Sequence, residues 1–162
     1  MAPESRHHPV RAILTGALIV AALDALDAIV FFGMTAGVRP IVIFQSIAGG
    51  VLGRAAFRGG LPTALLGGLL HFCVATCIVS TYYVVSRRIR PLARKPRLYG
   101  PLFGVVAFFV MRFIVVPLSA ALQGHLTLPL LLNGVFGHAV LVGLPSALVA
   151  RDRPNPERLM PR

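Results

Sequence analysis

The sequence predicts an all-α integral membrane protein: a four-transmembrane-helix bundle plus one short amphipathic helix, interfacial or re-entrant. Three observations carry this expectation. Of 162 residues, 56% are hydrophobic and 13% charged, whereas a soluble domain usually carries about 25% charged residues to cover its surface. Mean hydropathy is +0.80. Four apolar runs reach the ~20 residues needed to cross a ~30 Å hydrocarbon core, and they must be helices because lipid leaves no partner for exposed backbone groups. An ordinary soluble enzyme, a disordered tail and a nucleic-acid-binding domain are excluded despite the net charge of +11, because the basic residues flank the apolar runs.

The chain reads as a single membrane domain. Its spans are predicted at residues 12–32, 61–86, 99–122 and 128–150. Span one carries Asp24 and Asp27 and has no small-residue cleavage site after a short hydrophobic region, so a removable signal peptide is not expected. Pro9, Pro40, Pro62, Pro101 and Pro129 sit near helix starts, where the missing N–H costs nothing. Five such prolines imply a fifth helix, at residues 41–57. There Ile41, Phe44, Ile47, Ala48, Val51, Leu52 and Ala55 share one side of the wheel, and Gln45, Ser46, Gly49, Gly50, Gly53 and Arg54 the other. A short two-faced helix between Arg39 and Arg58 is expected to lie in the interface or re-enter it. Cys73 and Cys77, four apart in span two, form neither a redox nor a zinc motif and read as buried packing residues.

Arg87, Arg88, Arg90, Arg94, Lys95 and Arg97 crowd the connection 87–98, and Arg151, Arg153, Arg158 and Arg162 follow span four. The positive-inside rule puts this loop and the tail 151–162 in the cytoplasm. Four spans place the N-terminus, with Arg6 and Arg11, there too; five would export it. The expected surroundings are the bacterial inner membrane, with the basic loop on anionic lipid headgroups at ~1 kcal/mol per charge. No nucleic-acid partner is expected.

Five ionisable residues interrupt the apolar runs: Asp24, Asp27, His71, Arg112 and His138. Counted at ~1.5 Å per residue, four helices bring them to one layer just outward of the bilayer centre. The Leu, Ile, Val and Phe residues of span one return roughly 3–7 kcal/mol, against ~5–7 for two central Asp, so that span is marginal alone. Pairing Asp24 with Arg112 would relieve both helices, and the two are expected to face each other. His71 shares a face with Gly60, Ala64, Gly67, Gly68 and Ala75, His138 follows Gly134 by four, and Gly100, Gly104 and Phe108 lead at four-residue steps to Arg112. Small-residue stripes mark close helix contacts, so these side chains should point inward. Two histidines at one depth are also what axial ligation of haem b requires. Pro117 and Pro145 are expected to kink spans three and four by freeing the carbonyls of Phe113 and Leu141.

His71–Phe72 in a span ending Tyr82–Tyr83, Val116–Pro117–Leu118 closing the next, and Phe136–Gly137–His138 in the last resemble the YagU-type bacterial inner-membrane proteins over roughly residues 60–150. The resemblance implies a polytopic inner-membrane fold and a proposed link to acid tolerance, with His71, Pro117 and His138 at recurring positions. The chain departs from that pattern in its shorter connection between spans one and two and in Arg112.

Three functions are compatible with these residues. The first is proton or ion movement through the Asp/Arg/His layer, serving pH homeostasis. The second is a non-catalytic scaffold or accessory subunit in a homo-oligomer or membrane complex. The third is a cytochrome with one haem b held by His71 and His138. No catalytic residues, bound metal or enzymatic activity are expected, and no cofactor outside the haem alternative.

Overall fold

A computed structural model describes residues 9–151. Arg6, Arg153, Arg158 and Arg162 lie outside them, as does all of the predicted tail but Arg151. The described residues are helical, without strands: α1 (Pro9–Ala36), α2 (Pro40–Leu52), a 3-10 turn at Gly53–Arg58, α3 (Gly60–Arg88), α4 (Arg90–Arg94), α5 (Pro96–Leu118) and α6 (Leu128–Val149). Five segments are long and apolar enough to cross a membrane: α1, Pro40–Arg58, α3, α5 and α6. This is the build of a membrane protein.

The element ends have local causes. Gly37 ends α1 at φ +63, a left-handed conformation that costs glycine little, and the amides of Gly37 and Val38 return to the carbonyls of Gly33 and Phe32. Gly53, at φ +56, stops α2 and diverts the chain into the 3-10 turn, earlier than the predicted end at 57. Helix α5 ends at Leu118, four residues before the apolar run does, because Ser119 is extended and the Ala120 amide donates to the Gly50 carbonyl at 2.9 Å. At the start of α6, Thr127 caps the helix by accepting from the Leu130 amide. The predicted basic loop is itself structured, since it holds α4 and the first turn of α5.

Four helices run alternately up and down. Gly16 lies against Val79, and Asp24 beside His71; as α1 advances its neighbour on α3 recedes, so the two are antiparallel. Helix α6 is antiparallel to α1 by the same logic, through Gly16 against Val149 and Asp24 beside His138. Helices α5 and α6 are antiparallel as well. A Cβ on Gly104 would collide with the His138 carbonyl, and one on Gly143 with the Gly100 carbonyl. The predicted small-residue stripe of α5 is therefore a backbone-to-backbone contact, the way helices associate where lipid removes most of the hydrophobic drive. The core so formed is built mostly of small or β-branched residues: Ala17, Val20, Ala21, Ala75, Val79 and Val142.

Helix α2 does not sort cleanly by polarity. From its polar side Gln45 is 5% exposed and its amide donates to the Gly60 carbonyl at 3.1 Å, while Ser46 is exposed; from its apolar side Ala48 is fully buried and Val51 is 64% exposed. The Phe44 backbone rests on Gly67 of α3, where a side chain would collide. Cys73 and Cys77 also differ from expectation. Both are exposed, on the outer side of α3.

At Pro117 and Pro145, where kinks are expected, the helices take a specific form. Each proline follows a π turn, Met111–Val115 and His138–Gly143, in which the Val116 amide reaches Met111 and the Leu144 amide reaches Ala139. A proline ring collides with the carbonyl four residues back, and the wider turn moves that carbonyl aside.

Candidate functional site

Asp24 and Asp27 lie three apart on α1, on one face of a helix with 3.6 residues per turn. That face meets α3 and α6. His71 comes from the middle of α3, at a level set by the Gly16–Val79 contact two turns away. His138 is the first residue of the α6 π turn, a feature frequent at functional sites.

The three helices converge on the Asp24 carboxylate. His71 Nε2 is 3.8 Å from one oxygen and His138 Nδ1 is 3.9 Å from the other. Both distances exceed a hydrogen bond, and a movement of about 1 Å would make either contact direct. His71 Nε2 also lies 3.0 Å from the Ala21 carbonyl. A carbonyl only accepts, so this contact puts a proton on Nε2. The His138 ring stands edge-on to Phe108, with centroids 5.4 Å apart, which fixes its plane. The three side chains remain 16–25% exposed and line a cavity of about 70 Å³. A water needs roughly 10–15 Å³ of such space, so the cavity has room for several. Val20, Val74, Ala75, Ile78, Met111 and Val142 form its apolar walls.

Two expected partners are not brought in. Arg112 does not meet Asp24: its Nη2 donates to the Gly124 carbonyl at 2.8 Å, in the connection between α5 and α6. The inward position of that turn belongs to Met111, and the next residue points about 100° away around the helix. With α5 ending at Leu118, Arg112 is also nearer the helix end than a span to 122 implies. Its long side chain reaches the terminal connection, as basic residues do near helix ends. Asp27 sits apart from the histidines as well. It accepts from Asn133 Nδ2 of α6 at 2.9 Å, in space that Gly137 leaves open. Asn133 was missed in the sequence, although a lone amide in the run Leu128–Gly137, four residues before Gly137 and its turn, was the available signal.

The arrangement does not fit a haem. A bis-histidine iron would need both imidazole nitrogens on opposite faces of a porphyrin, and the Asp24 carboxylate stands between them. The 70 Å³ cavity is also far below the roughly 300 Å³ at which organic-ligand sites begin. Among the described residues, no group of three or more His, Cys, Asp or Glu is arranged to hold a metal ion.

The basic residues divide. Arg87 donates to the Ala150 carbonyl at 2.9 Å and stacks over Tyr83 at 4.5 Å, tying α3 to the end of α6. Arg88, Arg90, Arg94, Lys95 and Arg97 are exposed.

No family model, curated protein or solved structure matches the chain, so its chemistry has to be argued from these contacts. The Asp27–Asn133 bond gives one such check. In a double-mutant cycle of Asp27→Ala and Asn133→Ala, unfolding in mixed micelles is expected to show a coupling of about 0.6–1.7 kcal/mol, the range for hydrogen bonds between membrane helices. Strictly additive losses would contradict the pair.

Proposed function

We propose that this protein is a small inner-membrane protein that moves protons through the Asp24–His71–His138 site and serves pH homeostasis. The observation that carries the reading is a charge imbalance. Two carboxylates lie inside the bundle, and the guanidinium that could have balanced them is turned to a carbonyl in the α5–α6 connection. A central Asp costs ~2.5–3.5 kcal/mol in a bilayer. The groups within reach of Asp24 that can carry a positive charge are then the His71 and His138 imidazoles. A carboxylate between two imidazoles, beside space for water, can accept a proton from one ring and pass it to the other with small movements. The likeness to YagU-type proteins at His71 and His138 is in keeping with this reading.

The proposed topology is four spans with α2 re-entrant. Helices α1 and α3 are antiparallel neighbours, so the chain between them starts and ends on the same side of the membrane. Helix α2 has 13 residues, about 20 Å at 1.5 Å per residue, short of the ~30 Å core. Its buried Gln45 and exposed Val51 favour immersion over a surface position, where the polar face would meet water. The ends bearing Arg11, Arg87–Arg97 and Arg151 face the cytoplasm by the positive-inside rule, and both termini with them.

Thiol labelling tests the topology. In a Cys73→Ala/Cys77→Ala background, an impermeant maleimide added to intact spheroplasts is expected to label both Arg39→Cys and Arg58→Cys, and Arg94→Cys only after permeabilisation. Labelling of Arg39→Cys and Arg58→Cys from opposite sides would establish a fifth span. Proton flux tests the activity. Liposomes holding the purified protein and a pH dye should collapse an imposed gradient faster than protein-free liposomes. Asp24→Asn should cut the protein-dependent rate by about 100-fold, the lower range for losing a positioned proton carrier. Equal rates for wild type, Asp24→Asn and empty liposomes, with both proteins folded, would mean that the layer only fixes packing, as in a scaffold or accessory subunit.

A further inference from the structure

The cytoplasmic-side segment between α3 and α5 is a built surface. Tyr82 is fully buried and its hydroxyl donates to the Leu92 carbonyl at 3.0 Å. Ala93 is 1% exposed, and Leu92 packs on the cluster of Tyr82, Ala147 and Ala150. Helix α4 is thereby pinned across the end of the bundle by its apolar side, at the level where α3 stops and α5 starts. Arg90, Arg94, Lys95 and Arg97 remain on the exposed side. Arg90 and Arg94 are four apart, so their Cβ atoms stand roughly 5–6 Å from each other on one helix face. Pro91 and Pro96 bracket the turn and limit its freedom to unwind. No Asp or Glu occurs between residues 28 and 151, so that stretch supplies no carboxylate to neutralise these cations. Arg87 is committed to Ala150 and Tyr83 and belongs to the scaffold of the surface.

From this we infer that α4 and the start of α5 form a binding surface for the headgroup of an anionic phospholipid, with Arg90, Arg94, Lys95 and Arg97 on the phosphate and the apolar flank of α5 on the acyl chains. Charge complementarity selects the headgroup, and the neighbouring exposed Leu98 and Leu102, 62% and 58% exposed, supply the hydrocarbon contact that a free anion would not use. The inference is independent of the mid-bundle site, so either can fail without the other.

The test uses the full-length protein, delipidated in detergent, with phosphatidylglycerol and phosphatidylcholine of identical acyl chains competing for retention in native mass spectrometry. Phosphatidylglycerol should be preferred, and excess inorganic phosphate should not displace it. Each basic residue near a membrane surface contributes ~1 kcal/mol, about five-fold in affinity. The R90Q/R94Q/K95Q/R97Q variant should therefore lose the preference by about 600-fold, while R54Q/R58Q, at the opposite end, keeps it. Helicity and elution volume report folding. If the quadruple variant fails that check, R94Q/K95Q replaces it, with an expected loss of about 25-fold. Equal retention of the two lipids, a preference unchanged by these variants, or full displacement by inorganic phosphate would overturn the inference.

Discussion

A carboxylate inside a lipid-facing bundle needs a cation, and the rest of this structure follows from where that cation is found. A fixed guanidinium against Asp24 would make a static ion pair whose role ends with helix registration. Instead Arg112 reaches the connection beyond α5, and Asp24 is left between two rings that acquire charge only by binding protons. The groups beside the carboxylate are therefore proton-binding imidazoles and not a fixed charge.

Close backbone approach makes that convergence feasible. Gly16 lets α1 nestle against α3 and α6 together, and Gly104 admits the backbone at His138. Larger residues at these positions would push α6 outward and carry His138 away from Asp24. The π turn that begins at His138 belongs to the same design, because the wider turn accommodates Pro145 while keeping the imidazole on the α1 side. Asp27 and Asn133 form a second tie between α1 and α6 one turn away. They hold the two helices in register, so that the 3.9 Å approach of His138 need not provide the cohesion itself.

Much of this was legible from hydropathy and spacing, for physical reasons. The membrane character, the helices and the inward direction of Asp24, His71 and His138 follow from the cost of exposing polar groups to lipid and from the small residues that share their faces. The rest depended on things that periodicity does not encode. Arg112 lies on the stripe of Gly100, Gly104 and Phe108 by count, but a flexible side chain near a helix end can satisfy itself at the nearest carbonyl, and Met111 fills the inward position. Helix α2 looks like a surface helix on a wheel. In the bundle its two sides are divided, with Gln45 and Ala48 packed inward and Ser46 and Val51 exposed. Cys73 and Cys77 were misread for a related reason, since a small apolar side chain is equally at home facing lipid. Asn133 was overlooked because an uncharged amide is a weak signal beside five ionisable residues.

The central claim is that Asp24 stands between the imidazoles of His71 and His138, and solid-state NMR in lipid bilayers reads it directly. With carboxyl-¹³C aspartate and ring-¹⁵N histidine, the Asp24 carboxyl signal should be dephased by both His71 and His138, as oxygen–nitrogen separations of 3.8 and 3.9 Å require. Losing either ring to phenylalanine should remove part of that dephasing. A carboxyl signal coupled to neither ring, or coupled instead to the guanidinium nitrogens of Arg112 in an arginine-labelled sample, would contradict the account.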